Sequence, residues 1–338
     1  MIVSSPLVEF PETRDPHAEA VEQVDRAVLG QLSPAILRGL SLRCYDLTAE
    51  DIFFTLGQCT KLTKLDFSKS RLNLAHLPIL CSTLVQLNSL NLATYASQVL
   101  TSPTVEPLLS LSYLQALTSL DLGGHLLSSA AITSLHTLTQ LQHLGLVHCG
   151  LDDASIQQLA SLKELASLRL DHNHIHGESF EAIAFPKLTV LSLSHNSLTP
   201  QAVASIAKVH TLKSLNVAHN ALTLEDIGEL TRLSQLQSLA IGANPIGNSG
   251  VQLLCQLTTL RSLDVGHIPE LDVSGFNSLT QLDQLHVLNV EGTSLGDDAM
   301  VVIGSLQNLQ ELNAGSNQFV TVQAEVRSWH LSGKYHNY

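Results

Sequence analysis

Five histidines draw attention by their spacing: His148, His172, His195, His219 and His267. The first four follow one another at 24, 23 and 24 residues, and the fifth comes 48 residues later. Imidazoles ligate zinc, gain charge as the pH falls below about 6.5, and take part in recognition surfaces. Three roles stay open for this row: a packed residue before a turn, part of a binding face, or a metal- or pH-sensing line. Evenly spaced parallel side chains do not converge on a tetrahedral ion, so no metal site and no cofactor are expected. Catalytic signatures are also missing: the chain has no GxSxG, no HExxH and no phosphate loop. Cys149 next to His148 is the nearest approach to a Cys–His pair, and its place in the pattern below predicts a buried thiol. The chain is therefore expected not to be an enzyme.

The histidines belong to a longer pattern. LASLRLDHNHI, LTVLSLSHNSL and LKSLNVAHNAL, which start at Leu165, Leu188 and Leu212, share apolar residues at positions 1, 4, 6 and 11 and Asn at position 9. Positions 4 and 6 place two side chains on one face of a short strand. Asn173, Asn196 and Asn220 then fall where the chain must turn, and an amide side chain both donates and accepts there. The histidines occupy position 8. Twelve such blocks begin at Leu37, Leu62, Leu87, Leu117, Leu141, Leu165, Leu188, Leu212, Leu236, Leu260, Leu285 and Leu309. Position 9 reads Tyr45, Ser70, Tyr95, His125, Cys149, Asn173, Asn196, Asn220, Asn244, Ile268, Thr293 and Asn317. This predicts looser coils at the start and a distortion at Ile268, which Pro269 follows. The second half of each block reads as helix, with acidic or Ser/Thr residues in the first turn and apolar spacing such as Ile156, Leu159 and Leu162.

A period of this length means a solenoid, because one repeat cannot bury its apolar face without neighbours. The expected fold is α/β, with a parallel sheet on the concave face of a curved horseshoe and helices on the convex face. Residues 37–319 would form twelve repeats. Residues 1–36 are expected to be an N-terminal cap with a helix through Val21, Val24 and Val28, and 320–338 a C-terminal cap and tail. The step from Leu87 to Leu117 is 30 residues, which puts an insertion at 97–109, a second candidate for binding.

The formal net charge of −13 argues against nucleic acid and anionic membranes, and it favours a partner with a basic surface. No stretch is long and apolar enough to span a membrane, and the first twenty residues do not read as a secretory signal peptide. Five scattered cysteines without a CxxC pair fit reduced thiols in a cytoplasmic compartment.

The blocks LASLRLDHNHI, LTVLSLSHNSL and LQSLAIGANPI resemble the leucine-rich-repeat family, over roughly residues 37–319. The period with helical outer segments is similar to the short ribonuclease-inhibitor-like and GALA-type repeats. The resemblance implies binding of a protein partner on the concave face. It extends to bacterial effectors that enter host cells, here by a route without an N-terminal signal peptide. The face residues expected to meet a partner are Arg169, Asp171, His172, His195, Lys213, Asn216, His219, Asp264, His267 and Glu291. The function expected is a non-catalytic binding scaffold, monomeric alone. The alternative is a regulatory subunit or inhibitor of an enzyme whose chemistry lies in the partner.

Overall fold

The computed structural model describes Val8–Glu9, Glu22–Gln23 and residues 34–94, 105–181 and 183–317. Each of the twelve blocks contributes a three-residue strand at its positions 3 to 5, from Gly39–Ser41 to Glu311–Asn313. The leucine at position 4 is the reason for the register. In each unit it pairs with the leucine of the next strand, as Leu40 with Leu65 and Leu215 with Leu239, and these columns are buried up to the half-buried Leu312. Position 6 adds a second buried column, among them Leu42, Phe67, Leu146, Ile241 and Val265.

The chain divides into two compact units. One comprises Met1–Asn173 with Ala184–Lys187, the other His174–Ile183 with Leu188–Tyr338. In the first, strands Val8–Glu9, Gly39–Ser41, Lys64–Asp66, Ser89–Asn91, Ser119–Asp121, His143–Gly145 and Ser167–Arg169 pair in that order, all parallel. In the second, Val190–Ser192, Ser214–Asn216, Ser238–Ala240, Ser262–Asp264, Val287–Asn289 and Glu311–Asn313 do the same.

Short helices fill the rest of each block, and local chemistry starts them. Asp152 and Ser155 form a capping box before Asp153–Gln157, as do Thr223 and Asp226 before Leu224–Ile227. Thr199 accepts from the Ala202 N–H at 3.2 Å, with Pro200 in the first turn. Each helix buries one stripe; Ile156, Leu159 and Leu162 have no exposed surface. No helix among the described residues is long and apolar enough to cross a membrane.

The N-terminal segment differs from expectation at one place. Glu22–Gln23 form a strand parallel to Tyr45–Asp46, where the valine spacing predicts helix. The valine spacing of three and four residues is a helical one, but strand Tyr45–Leu47 offers backbone partners to Glu22–Gln23 that a helix would forgo. Val21, Val24 and Val28 lie outside the described residues, as do Ser97–Thr104 of the insertion and the residues after Asn317. The described end of the insertion, Val105–Leu109, is helical and runs into a 3₁₀ turn at Ser110–Tyr113.

Candidate binding face

The turn after each strand sets what the sheet can offer. Its floor is the position-9 ladder. Asn244, with no exposed surface, accepts from the Asn220 and Leu222 N–H groups at 3.0 and 2.9 Å and donates to the Val217 and Ile241 carbonyls at 3.0 and 2.7 Å. Asn173, Asn220 and Asn317 also bridge to the position-6 carbonyl of the preceding coil. Other residues reproduce part of this. Ser70 donates to Leu42 O at 2.7 Å, His125 Nε2 bonds Leu92 O at 2.7 Å, and Cys149 Sγ reaches Leu122 O at 3.3 Å. Ile268 cannot accept, and the Ile246 N–H instead turns to Asn244 O at 2.8 Å, while Glu270 takes φ +59°. The expected distortion near Ile268 is present.

Cys149 is fully buried, and burial pushes its thiol up to about 12. It is protonated at neutral pH and serves the ladder, so it is no partner for His148 in nucleophilic chemistry.

Position 8 has an unusual backbone. In eleven of the twelve blocks it has positive φ, the exception being Thr94; His148, His172, His195, His219 and His267 lie between +52° and +56°. This left-handed conformation sends the residue's N–H to the next coil, as His219 N to Gly242 O at 3.0 Å. It suits Gly, and among other residues Asn, Asp and His are enriched there. The conformation also lays the side chain along the array. His148 and His172 stack with ring centroids 4.1 Å apart and planes 15° off parallel. His195 and His219 stack at 3.9 Å and 14°. His267 lies over Gly292, where an added Cβ would stand 2.4 Å from His267 Nδ1. An ion about 2.1 Å from both nitrogens of such a stacked pair would sit far out of both ring planes, so these pairs are poor zinc ligands as they stand. Among the described residues no three His, Cys, Asp or Glu side chains converge.

Position 5 carries a second device. The Oδ1 atoms of Asp66, Asn91, Asp121, Asn216, Asp264, Asn289 and Asn313 each accept from the N–H two residues on, at 2.8 to 3.1 Å. These are Asx turns, which end the strand. Sequence reasoning took Asn216 and Asp264 for contact residues and missed this role; the D/N–x–small spacing at positions 5 to 7 is the signal that carries it.

Among the ten expected contact residues, Arg169, Asp171 and His172 fall in the first unit, and the other seven in the second. Arg169, His195, Lys213, His219 and His267 are exposed; His172, Asn216, Asp264 and Glu291 are half-buried. Asp171, at position 7, is only 7% exposed. The Glu291 carboxylate holds the last coil, accepting from Asn313 Nδ2 at 3.0 Å and Ser316 Oγ at 3.1 Å. Within the second unit, His219 and His267 flank a low floor made by Ala218, Ala240, Gly242, Ala243 and Gly266. A Cβ on Gly242 would come 2.5 Å from Gly266 O, so coil packing keeps that floor low.

Comparison with known proteins agrees with this architecture. A family model described as "Leucine Rich repeat" matches residues 186–207 and 210–230. No curated protein matches the sequence. Among solved structures, the chain is similar to an internalin (inlF) from Listeria monocytogenes, with 26% identity and a TM-score of 0.59, covering 89% of this chain and 81% of that one. A structure titled as a TDR receptor has 18% identity and a TM-score of 0.51, covering 83% and 46%. A leucine-rich-repeat protein of Leptospira interrogans has 21% identity and a TM-score of 0.49, covering 87% and 82%. The fold is thus an α/β leucine-rich-repeat solenoid. The chain is similar to leucine-rich-repeat proteins of bacteria.

Proposed function

We propose that the chain is a non-catalytic protein-binding scaffold, and that its second unit takes a basic protein partner on the strand face. The observation that carries this is the row of position-2, -5, -7 and -8 side chains along strands whose other face is packed with leucine. His195, Lys213, Asn216, His219, Asp264, His267 and Glu291 line this face, and Arg169, Asp171 and His172 stand at the equivalent positions of the first unit. A low floor between His219 and His267 admits a side chain or an extended segment. The net charge of −13 draws a basic partner and speeds encounter at low salt. The five free cysteines support a reducing cytoplasm as the working compartment. The proposal extends to an effector acting on a host protein, as the resemblance to bacterial effectors implies.

The test is affinity capture from candidate cytosols, with wild type beside an Asp264→Asn, His267→Ala, Glu291→Gln variant. Asp264→Asn removes charge and keeps the Asx turn, as Asn216 and Asn289 already do. A partner held by wild type and lost by the variant, with unchanged circular dichroism, is the expected result. A partner retained in full would place binding elsewhere, with the 97–109 insertion as the first place to look. A captured enzyme whose turnover changes on binding would favour the regulatory-subunit reading.

A further inference from the structure

The ladders of the two units differ in chemistry. In the second, position 9 holds Asn196, Asn220, Asn244, Ile268, Thr293 and Asn317, none of which titrates. In the first, one rung is an imidazole. His125 is 7% exposed, and its ring ties two coils together. Nε2 donates to Leu92 O at 2.7 Å, across 33 residues of chain. The same junction is closed by the Leu92 N–H to Asp121 O and the Thr94 N–H to Gly123 O, both 2.8 Å. It is also the junction where the insertion leaves the array, since Thr94 is the last described residue before it.

We propose that His125 makes the first unit acid-sensitive: protonation of this buried rung opens the junction between the coils at 87–94 and 117–125, while the second unit stays closed.

The neutral ring meets its site's demand with one donated proton at Nε2. A second proton on Nδ1 places a cation where solvent scarcely reaches, and the ring must then move toward water or the junction must part. Among the described residues, two titratable groups face it. Asp121, on its own coil, favours the charged ring, but its Oδ1 already accepts from the Gly123 N–H at 3.0 Å, and the carboxylate lies against Gly145, where an added Cβ would be 2.6 Å from Cγ. Cys149, on the next coil, is held neutral by burial and offers no countercharge. The corresponding ladder residue of the preceding coil, Tyr95, lies outside the described residues. Burial is the largest influence on His125 and lowers its pKa; the Leu92 carbonyl and Asp121 oppose it. A histidine with a lowered folded pKa contributes stability that is complete above the unfolded value, about 6.5. That contribution fades as the pH falls from there toward the folded value.

The test is amide exchange on the full chain at pH 7.5 and pH 5, corrected for intrinsic rates, and read at the Leu92 and Thr94 amides. The Val217 and His219 amides, which bond Ala240 O and Gly242 O across the second unit's coils, are the controls. Opening at Leu92 and Thr94 is expected to rise as the pH falls, approaching about tenfold per pH unit from a unit or so below 6.5 down to the folded value, with the controls unmoved. In His125→Asn, which places the second unit's rung in the first, the acid effect disappears. Equal loss in both units, no loss at pH 5, or undiminished loss in His125→Asn would overturn the proposal. Should that variant not fold, an NMR titration of the wild-type ring decides: loss of the Leu92 and Thr94 amides must follow His125 protonation, and a His125 that titrates without disturbing them refutes it.

Discussion

Asn244 measures what one rung of the ladder holds. It serves five backbone groups, three on the preceding coil and two on its own, all of them on buried residues. Asn244→Ala would orphan several buried donors and acceptors at once, each costing about 1–3 kcal/mol before relaxation. A loss of about 3 kcal/mol or more in denaturant unfolding is expected. Ser205 is the contrasting case. Its Oγ is buried without a hydrogen-bond partner among the described residues, so Ser205→Ala is expected to be neutral or to stabilise by up to about 1 kcal/mol. The ladder Asn residues were legible in the sequence, because an amide at a fixed place after a strand has few other uses. At position 5, Asn216 and Asp264 were read only as contacts, because a carboxylate or amide oxygen serves a partner's donor and its own backbone equally well. Only the neighbouring N–H groups, seen in three dimensions, separate the two.

Among the elements, the strands followed the sequence closely: each begins two residues after its block's first leucine, because two apolar columns fix the register. The N-terminal segment did not follow at Glu22–Gln23, because apolar spacing does not report backbone partners, and those at Tyr45–Asp46 drew this stretch into a strand. The left-handed turn at position 8 was equally hidden, since apolar patterning reports which face is buried and not the sign of φ. Its energetics can be tested on a pair of variants. Ala243 holds φ +54°, so Ala243→Gly is expected to stabilise by about 0.5–1 kcal/mol after the unfolded-state entropy of glycine is counted. Gly292→Ala is expected to destabilise by more than this, because the new Cβ would meet the His267 ring as well as the strained backbone. Thermal melts of the two variants, one rising and one falling, check the assignment.

Across the whole molecule, the cysteines report on the integrity of the array. Cys59, Cys81, Cys149 and Cys255 are buried, and Cys44 is partly exposed; burial pushes Cys81 to about 11 and Cys255 to about 12. Alkylation of the native chain is expected to label Cys44 first and the other four only after unfolding, read by mass spectrometry of the digested protein. The position-8 column has a wider bearing on how this scaffold could be given new binding specificities. A combinatorial library drawn there would be mostly waste, since β-branched and bulky residues resist a left-handed backbone, leaving a short alphabet of Gly, Asn, Asp, His and a few others. Randomising positions 3 and 5 would leave that constraint untouched, provided Asp or Asn is kept wherever it closes a turn. Between the two columns the protein thus marks which parts of its surface can diversify freely and which are conscripted by the chain's own path.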